Sequence, residues 1–270
     1  MPLHRQHHGG QPMQIYYMHR DGISAGSSMI TLLINISCVL FVTISLSLFY
    51  LLFNYQYMTP GLVVFFIFGT VINAAAIVLF LIAIFSEKTL DKIIKFVTRL
   101  IKNHYTKKIA RIKKLHLNIE EALIKKAEDK SERRTTWLAE QSNKYKEDAN
   151  IIRQNKAIII KTLLIYYFQY TIFYIISYFS YRAVGLNEHN WFEVSSLQSI
   201  VYATVSGIPS PGAVGVSEAA YIGLFKNVIP EHLISSVMLL VRSLTFYLFV
   251  AIAGIVVIIT AITTKKREIN

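Results

Sequence analysis

Two charged side chains stand inside apolar stretches: Glu218 in "VGVSEAAYIGLF" and Arg242 in "LLVRSLTFYLFV". An ionisable group at membrane depth costs at least about 2.5 kcal/mol, so it should face a cavity or an opposite charge. Two readings follow. Either Glu218 and Arg242 pair with each other, or Glu218 attracts a cationic ligand group while Arg242 orients it. Just upstream, "IPSPGAVGVSE" gathers Pro209, Pro211, Gly212 and Gly215 between apolar runs. Pro211 suits the first turn of a helix, where its missing N–H is no loss. A helix starting there would present free backbone amides, which bind anions such as phosphate. Gly212, Gly215 and Ala219 fall at i, i+3 and i+7, which bares one face to a neighbouring backbone or a lipid headgroup. Glu218 falls two turns after Pro211 on the same side.

Near the start, "GGQPMQIYYMHRDG" repeats the theme, with Gly9, Gly10, Gln11 and Pro12 ahead of an aromatic helical stretch. A Gly/Pro-interrupted segment in each half of a chain points to a paired transporter site. The first segment would lie at the cytoplasmic face and the second would open from outside. Other constellations are weak. His4, His7 and His8 in the polar N-terminus suit only adventitious metal binding. The lone Cys38 lies in an apolar run and allows neither an internal disulfide nor a paired-cysteine metal site. There is no Gly-rich phosphate loop, zinc-ligand helix pair or nucleophile elbow, so no catalytic residue, metal or cofactor is expected.

The elements that must position these residues are membrane helices. The chain is 53% hydrophobic, with 16% charged residues against the roughly 25% usual for soluble domains. Its mean hydropathy is +0.43. A spanning helix needs about 20 mostly apolar residues. Four segments qualify: Met29 to Phe53, Gly61 to Phe85, Ala157 to Tyr181, and Leu233 to Thr263. The first 28 residues are polar and show no cleavable signal. Between Glu87 and Lys156 stand 19 Lys and Arg against 10 Asp and Glu, which is nine of the net +12. The basicity therefore belongs to a loop, and no nucleic-acid partner is implied. Lys and Arg near span ends are retained in the cytoplasm. The N-terminus, the 87–156 loop and the "KKR" tail are accordingly expected to be cytoplasmic, in a multi-pass protein of the cell membrane.

That count requires residues 193–229 to leave and re-enter the same outer side. They are apolar in two halves, "VSSLQSIVYATVSGI" and "VGVSEAAYIGLF", each too short to span and hinged at "PSPG". The spacing predicts a re-entrant helical hairpin, because broken backbone at membrane depth survives where protein or a water-filled cavity satisfies it. The alternative is an amphipathic pair lying on the outer surface. The expected fold is thus an all-α polytopic bundle of four spans plus this hairpin, in one membrane domain. In the loop, "LDKIIKFVTRLIK" reads as an amphipathic helix: Leu90, Ile93, Ile94, Val97, Leu100 and Ile101 form one face, and the charges take the other. Such a helix can lie on anionic lipid. From His104 to Lys156 the expectation is a solvated helical linker. The aromatic run "YYFQYTIFYIISYFSY" reads as bundle packing and interface anchoring.

"IPSPGAVGVSEAAYIGLF", followed by "LLVRSLTFYLFVAIAGIVV", resembles the flippase-like transmembrane domain of the lysylphosphatidylglycerol synthase family. "GGQPMQIYYMHRDGIS" resembles that family's first-half signature, and the loop ending "YKEDANIIRQNK" resembles members from Gram-positive bacteria. The resemblance runs from Gly9 onward. The family pattern has two adjacent glycines after the second proline, and Ala213 stands in place of the second. Family members place about two spans before "GGQP", whereas eight residues precede it here, so the expectation is an N-terminally truncated chain. The resemblance implies a lipid-handling protein that binds or translocates phosphatidylglycerol or its aminoacylated form. It implies headgroup contacts at Pro209, Pro211, Gly212, Gly215, Glu218, Arg242 and Gly9 to Pro12. Its partner would be membrane phospholipid, with a second copy or a separate synthase domain beside it. Two alternatives stay open. One is phosphatidylglycerol lysyltransferase, the activity in the family name, although no cytoplasmic catalytic domain is expected in this chain. The other is a non-transporting scaffold whose loop recruits partners.

Overall fold

The structure is a computed structural model and describes residues 10–114, 120–206 and 215–269. Gly9, Pro209, Pro211, Gly212, Ala213 and the three early histidines lie outside the described residues. The helices are α1 (Gly10–Arg20), α2 (Ala25–Asn54), α3 (Pro60–Phe85), α4 (Glu87–Lys114), α5 (Glu120–Gln154) and α6 (Lys156–Ala183). They continue as α7 (Trp191–Ser206), α8 (Val216–Phe225), α9 (Glu231–Arg242) and α10 (Leu248–Ile269). A π-helical turn, Ser243–Tyr247, joins the last two. The fold is all-α and polytopic. Among the described residues, four stretches are long and apolar enough to cross a membrane: Ala25–Tyr57, Pro60–Phe85, Lys156–Ala183 and Glu231–Ile259. These match the expected spans to within a turn. The fourth differs in kind, because the π-helical turn interrupts it just after Arg242.

The chain divides into two compact units. The first comprises Met1–Cys38 and Ile77–Thr162. Its centre is a hairpin of α4 packed on α5. Gly10, Gln11 and Pro12 open α1 rather than break it, since a proline in the first turn gives up no helical hydrogen bond. The far end of α1 closes at Gly22, whose φ of +88° a side chain would oppose. There the Gly22 N–H bonds the His19 carbonyl and the Ile23 N–H bonds the Met18 carbonyl. Next, α2 starts against α5: the Gly26 N–H donates to Gln141 Oε1 at 3.1 Å. A Cβ on Gly26 would lie 2.2 Å from the Gln141 carbonyl oxygen, so only glycine permits this approach.

Residues 104–156 are therefore not a solvated linker throughout. Tyr145, Ala149 and Ile152 recur at i, i+4 and i+7 and are buried, as are Tyr105 and Ala127. Their apolar signal is diluted by long charged side chains, which is why composition alone reads as solvated. The same surface of α5 closes the end of α3. Tyr145 Oη donates to the Ala83 carbonyl at 3.0 Å, and Arg153 Nη2 to the Phe85 carbonyl at 2.8 Å. The last carbonyls of a helix have no partner of their own. Here a spanning helix ends where α5 supplies the donors. Salt bridges Lys146 to Asp91 (2.5 Å) and Arg153 to Glu87 (2.6 Å) add to the junction.

The second unit comprises Val39–Ala76 and Leu163–Asn270 and is built around α7. Eleven of the sixteen residues of α7 are buried, including Ser195, Ser196, Ser199 and Thr204. In lipid there is no hydrophobic drive between helices, so close approach by small residues and hydrogen bonding hold them together. Both are present. Gly69 on α3 sits so near α7 that a Cβ would lie 2.6 Å from the Thr204 carbonyl oxygen. One turn on, Asn73 Nδ2 donates to Ser206 Oγ at 2.8 Å. Tyr170, Phe173 and Tyr174 of α6 meet Tyr202 of α7 with ring centroids about 6 Å apart. At the start of α7, Asn190 Oδ1 accepts the Glu193 N–H at 3.0 Å, and the Glu193 carboxylate accepts from Tyr57 Oη and lies 2.9 Å from His189 Nδ1. Both α7 and α8 are short. At 1.5 Å per residue they reach about 24 and 15 Å, less than the roughly 30 Å of a bilayer core. They pack on one another, and α8 packs on α9.

Candidate functional site

The residues that interrupt the apolar pattern meet at the start of α8. Gly215 precedes it with φ +86°, a conformation glycine tolerates, and among the described residues nothing lies within 4 Å of where its Cβ would stand. Its role there is conformational, not the close approach that the small-residue spacing predicts. Since the helix begins at Val216, Glu218 lies in its first turn, not two turns along. Its carboxylate turns back and accepts the Gly215 N–H. The start of α8 at Gly215 is thus filled by the protein's own anion, while the expected helix start at Pro211 lies outside the described residues. Carboxylates favour that position because the first N–H groups of a helix are unpaired and partly positive.

The same carboxylate pairs with Arg242. Arg242 Nη1 donates to Glu218 Oε1, and Nη2 donates to Ser217 Oγ at 2.7 Å. Ser217 Oγ in turn lies 3.1 Å from Glu218 Oε2. The side chains of Arg242 and Glu218 keep 17% and 25% of their exposure. Of the two readings open at the level of sequence, the ion pair is therefore formed. Arg242 closes α9 where the π-helical turn begins, and such turns recur at functional sites because they re-aim the side chains around them.

Beyond the pair opens a cavity of about 230 Å³, bordered by α6, α7, α8 and the fourth span. Ser217, Arg242, Gln198, Tyr221 and Thr245 form its polar lining, and Phe173, Val201, Val205, Met238, Val241 and Phe246 its apolar lining. Gln198 is 8% exposed and Tyr221 3%. Gln198 Oε1 and Tyr221 Oη are buried without a hydrogen-bond partner. A buried polar atom without a partner costs roughly 1 to 3 kcal/mol. Gln198 and Tyr221 are thus two residues of the cavity wall whose Oε1 and Oη have no partner among the described residues.

Sequence reasoning reached Glu218, Arg242 and Gly215 here and missed Gln198, Tyr221 and Ser217. The missed signal was the i, i+4 spacing of Gln198 with Tyr202 and of Ser217 with Tyr221, which puts each pair on one helix face. Gly10, Gln11 and Pro12 belong to the first unit, whereas this cavity lies wholly within the second. Among the described residues no cluster of His, Cys, Asp and Glu could hold a metal ion.

Residues 7–254 match the family described as "Lysylphosphatidylglycerol synthase TM region". No curated protein and no solved structure matches the chain. With that match over most of its 270 residues, and four helices able to cross a membrane, the chain belongs to the transmembrane-region family of lysylphosphatidylglycerol synthases.

Proposed function

We propose that the chain handles membrane phospholipid, taking the headgroup of phosphatidylglycerol or its aminoacylated form into the cavity beside the Glu218 and Arg242 pair and moving it across the bilayer. One observation carries this reading: Gln198 and Tyr221, whose Oε1 and Oη are buried without a partner among the described residues, line a cavity whose remaining wall is largely apolar. An amphiphile fits that division. Its hydroxyl, phosphate or ammonium groups meet Gln198, Tyr221, Ser217 and Arg242, while its glycerol and first acyl carbons meet Phe173, Val205 and Met238. The family name supports phosphatidylglycerol and its lysyl ester as the lipids. Replacing Gln198 by Leu together with Tyr221 by Phe removes both groups and keeps the shape. Each lost hydrogen bond is worth about 0.5 to 1.5 kcal/mol, so lipid retention on the purified protein should fall roughly tenfold or more. Native mass spectrometry with added phosphatidylglycerol measures it; retention equal to wild type would count against the cavity.

The proposal includes a topology. The N-terminus, the 87–156 loop and the C-terminus are placed in the cytoplasm by their Lys and Arg, and residues 193–229 form a hairpin entering from outside. Short paired helices support it, since neither α7 nor α8 is long enough to cross alone. A cysteine at exposed Lys130 should react with an impermeant maleimide only in inverted vesicles, and one at exposed Asn187 only in intact cells. The opposite pattern would reverse the orientation.

A further inference from the structure

We propose that α4 docks on an anionic phospholipid surface through Ile93, Phe96 and Leu100, with Lys95, Arg99 and Lys102 beside them. This does not depend on the headgroup cavity. The sequence groups the apolar residues of α4 as one face; the structure divides them. Leu90, Ile94, Val97 and Ile101 are half-buried, and on their side Asp91 binds Lys146 and Tyr105 lies under the Arg134 guanidinium at 5.6 Å. Ile93, Phe96 and Leu100 remain 51%, 59% and 52% exposed. They recur at i, i+3 and i+7 and so form one stripe turned away from α5.

Three features point to lipid as the occupant. The stripe starts close to the bilayer: α3, a spanning helix, ends at Phe85, and Ile93 follows eight residues later, about 12 Å of helix. The helix is interrupted in between at Ser86, whose Oγ accepts the Thr89 N–H at 3.3 Å and so starts α4 afresh. The charge beside the stripe is of one sign. Lys95, Arg99 and Lys102 are exposed along one side and border a shallow recess with Thr98 and Asn103, which suits a phosphate. Each basic residue near an anionic leaflet adds attraction, and bulky apolar side chains between them insert at the headgroup boundary.

The test uses the full chain with Cys38→Ser and a nitroxide on Phe96→Cys, reconstituted in phosphatidylcholine vesicles with and without phosphatidylglycerol. With phosphatidylglycerol, collisions of the label with a water-soluble nickel complex should fall several-fold and collisions with oxygen should rise. A label at exposed Glu132→Cys on α5 should stay water-accessible in both vesicles and reports that the hairpin is folded. The triple change Lys95→Glu, Arg99→Glu and Lys102→Glu should abolish the protection at position 96 and leave position 132 unchanged. A label equally water-exposed in both vesicle types would overturn the proposal. So would protection that is the same in both vesicles and in detergent, which would mean that a second copy or another protein covers the stripe.

Discussion

Replacing Arg242 by Ala should destabilise the protein by about 1 to 3 kcal/mol and remove lipid binding, the largest effect expected of any change at the cavity. Two bonds and a place in the cavity wall explain the size. Arg242 neutralises Glu218, donates to Ser217 at 2.7 Å and lines the cavity wall. Without it the Glu218 carboxylate stays at the start of α8 with the Gly215 N–H but no countercharge. Removing one partner of a buried pair costs far more than the pair itself contributes. The double change Glu218→Gln with Arg242→Met should therefore recover most of the thermal midpoint, because it leaves no unpaired charge. It should not recover lipid retention, because the guanidinium is still missing. Thermal unfolding and native mass spectrometry on the same three proteins separate the two roles. If the double variant binds lipid as wild type does, the pair is purely structural.

Gly69→Val should also cost several kcal/mol, and it acts on the cavity from a distance. A Cβ at that position lies 2.6 Å from the Thr204 carbonyl oxygen and 2.7 Å from that of Ala203, both backbone atoms that no side-chain rotation can move. Overpacking a close contact usually costs about 1 to 3 kcal/mol, and here the strained partner is main chain. Relief requires α7 to move off α3. That shift would break the Asn73 to Ser206 bond and carry Gln198 and Tyr202, two cavity residues, with it. Gly61→Ala is the matched control: it lies on the same helix with open space around the new Cβ and should leave stability unchanged. Equal behaviour of the two substitutions in a melting experiment would rule out the close contact between α3 and α7.

Much of the architecture was legible because the bilayer imposes a length. The expected spans Gly61 to Phe85 and Ala157 to Tyr181 lie within one or two residues of α3 and α6, since only a long apolar helix satisfies its own backbone in lipid. The π-helical turn was not legible: "RSLTFYLFV" carries no proline or glycine to announce it. The α4 and α5 hairpin was half legible. Its apolar positions have helical spacing, but which of them meet α5 and which stay exposed depends on the partner helix, not on α4. At the site, Glu218 and Arg242 stood out because charge in an apolar run is costly, and their opposite signs made a pair one of the two readings the sequence left open. Gln198 and Tyr221 carry no charge, so what marks them is that Oε1 and Oη have no hydrogen-bond partner among the described residues, a property only the packed structure reveals. That Gly215, with its positive φ, precedes α8 was not legible either, because nothing in the local sequence distinguishes it from the other small residues there.

The most direct test of the headgroup cavity is photo-crosslinking. A phosphatidylglycerol with a diazirine beside its glycerol backbone, added to the reconstituted full chain and irradiated, should leave its adducts on peptides containing Phe173, Tyr202 and Met238, and lose them in the Gln198→Leu, Tyr221→Phe variant. Adducts confined to lipid-facing positions such as Val64, Phe168 or Ile255, unchanged in that variant, would contradict a headgroup site at the Glu218 and Arg242 pair.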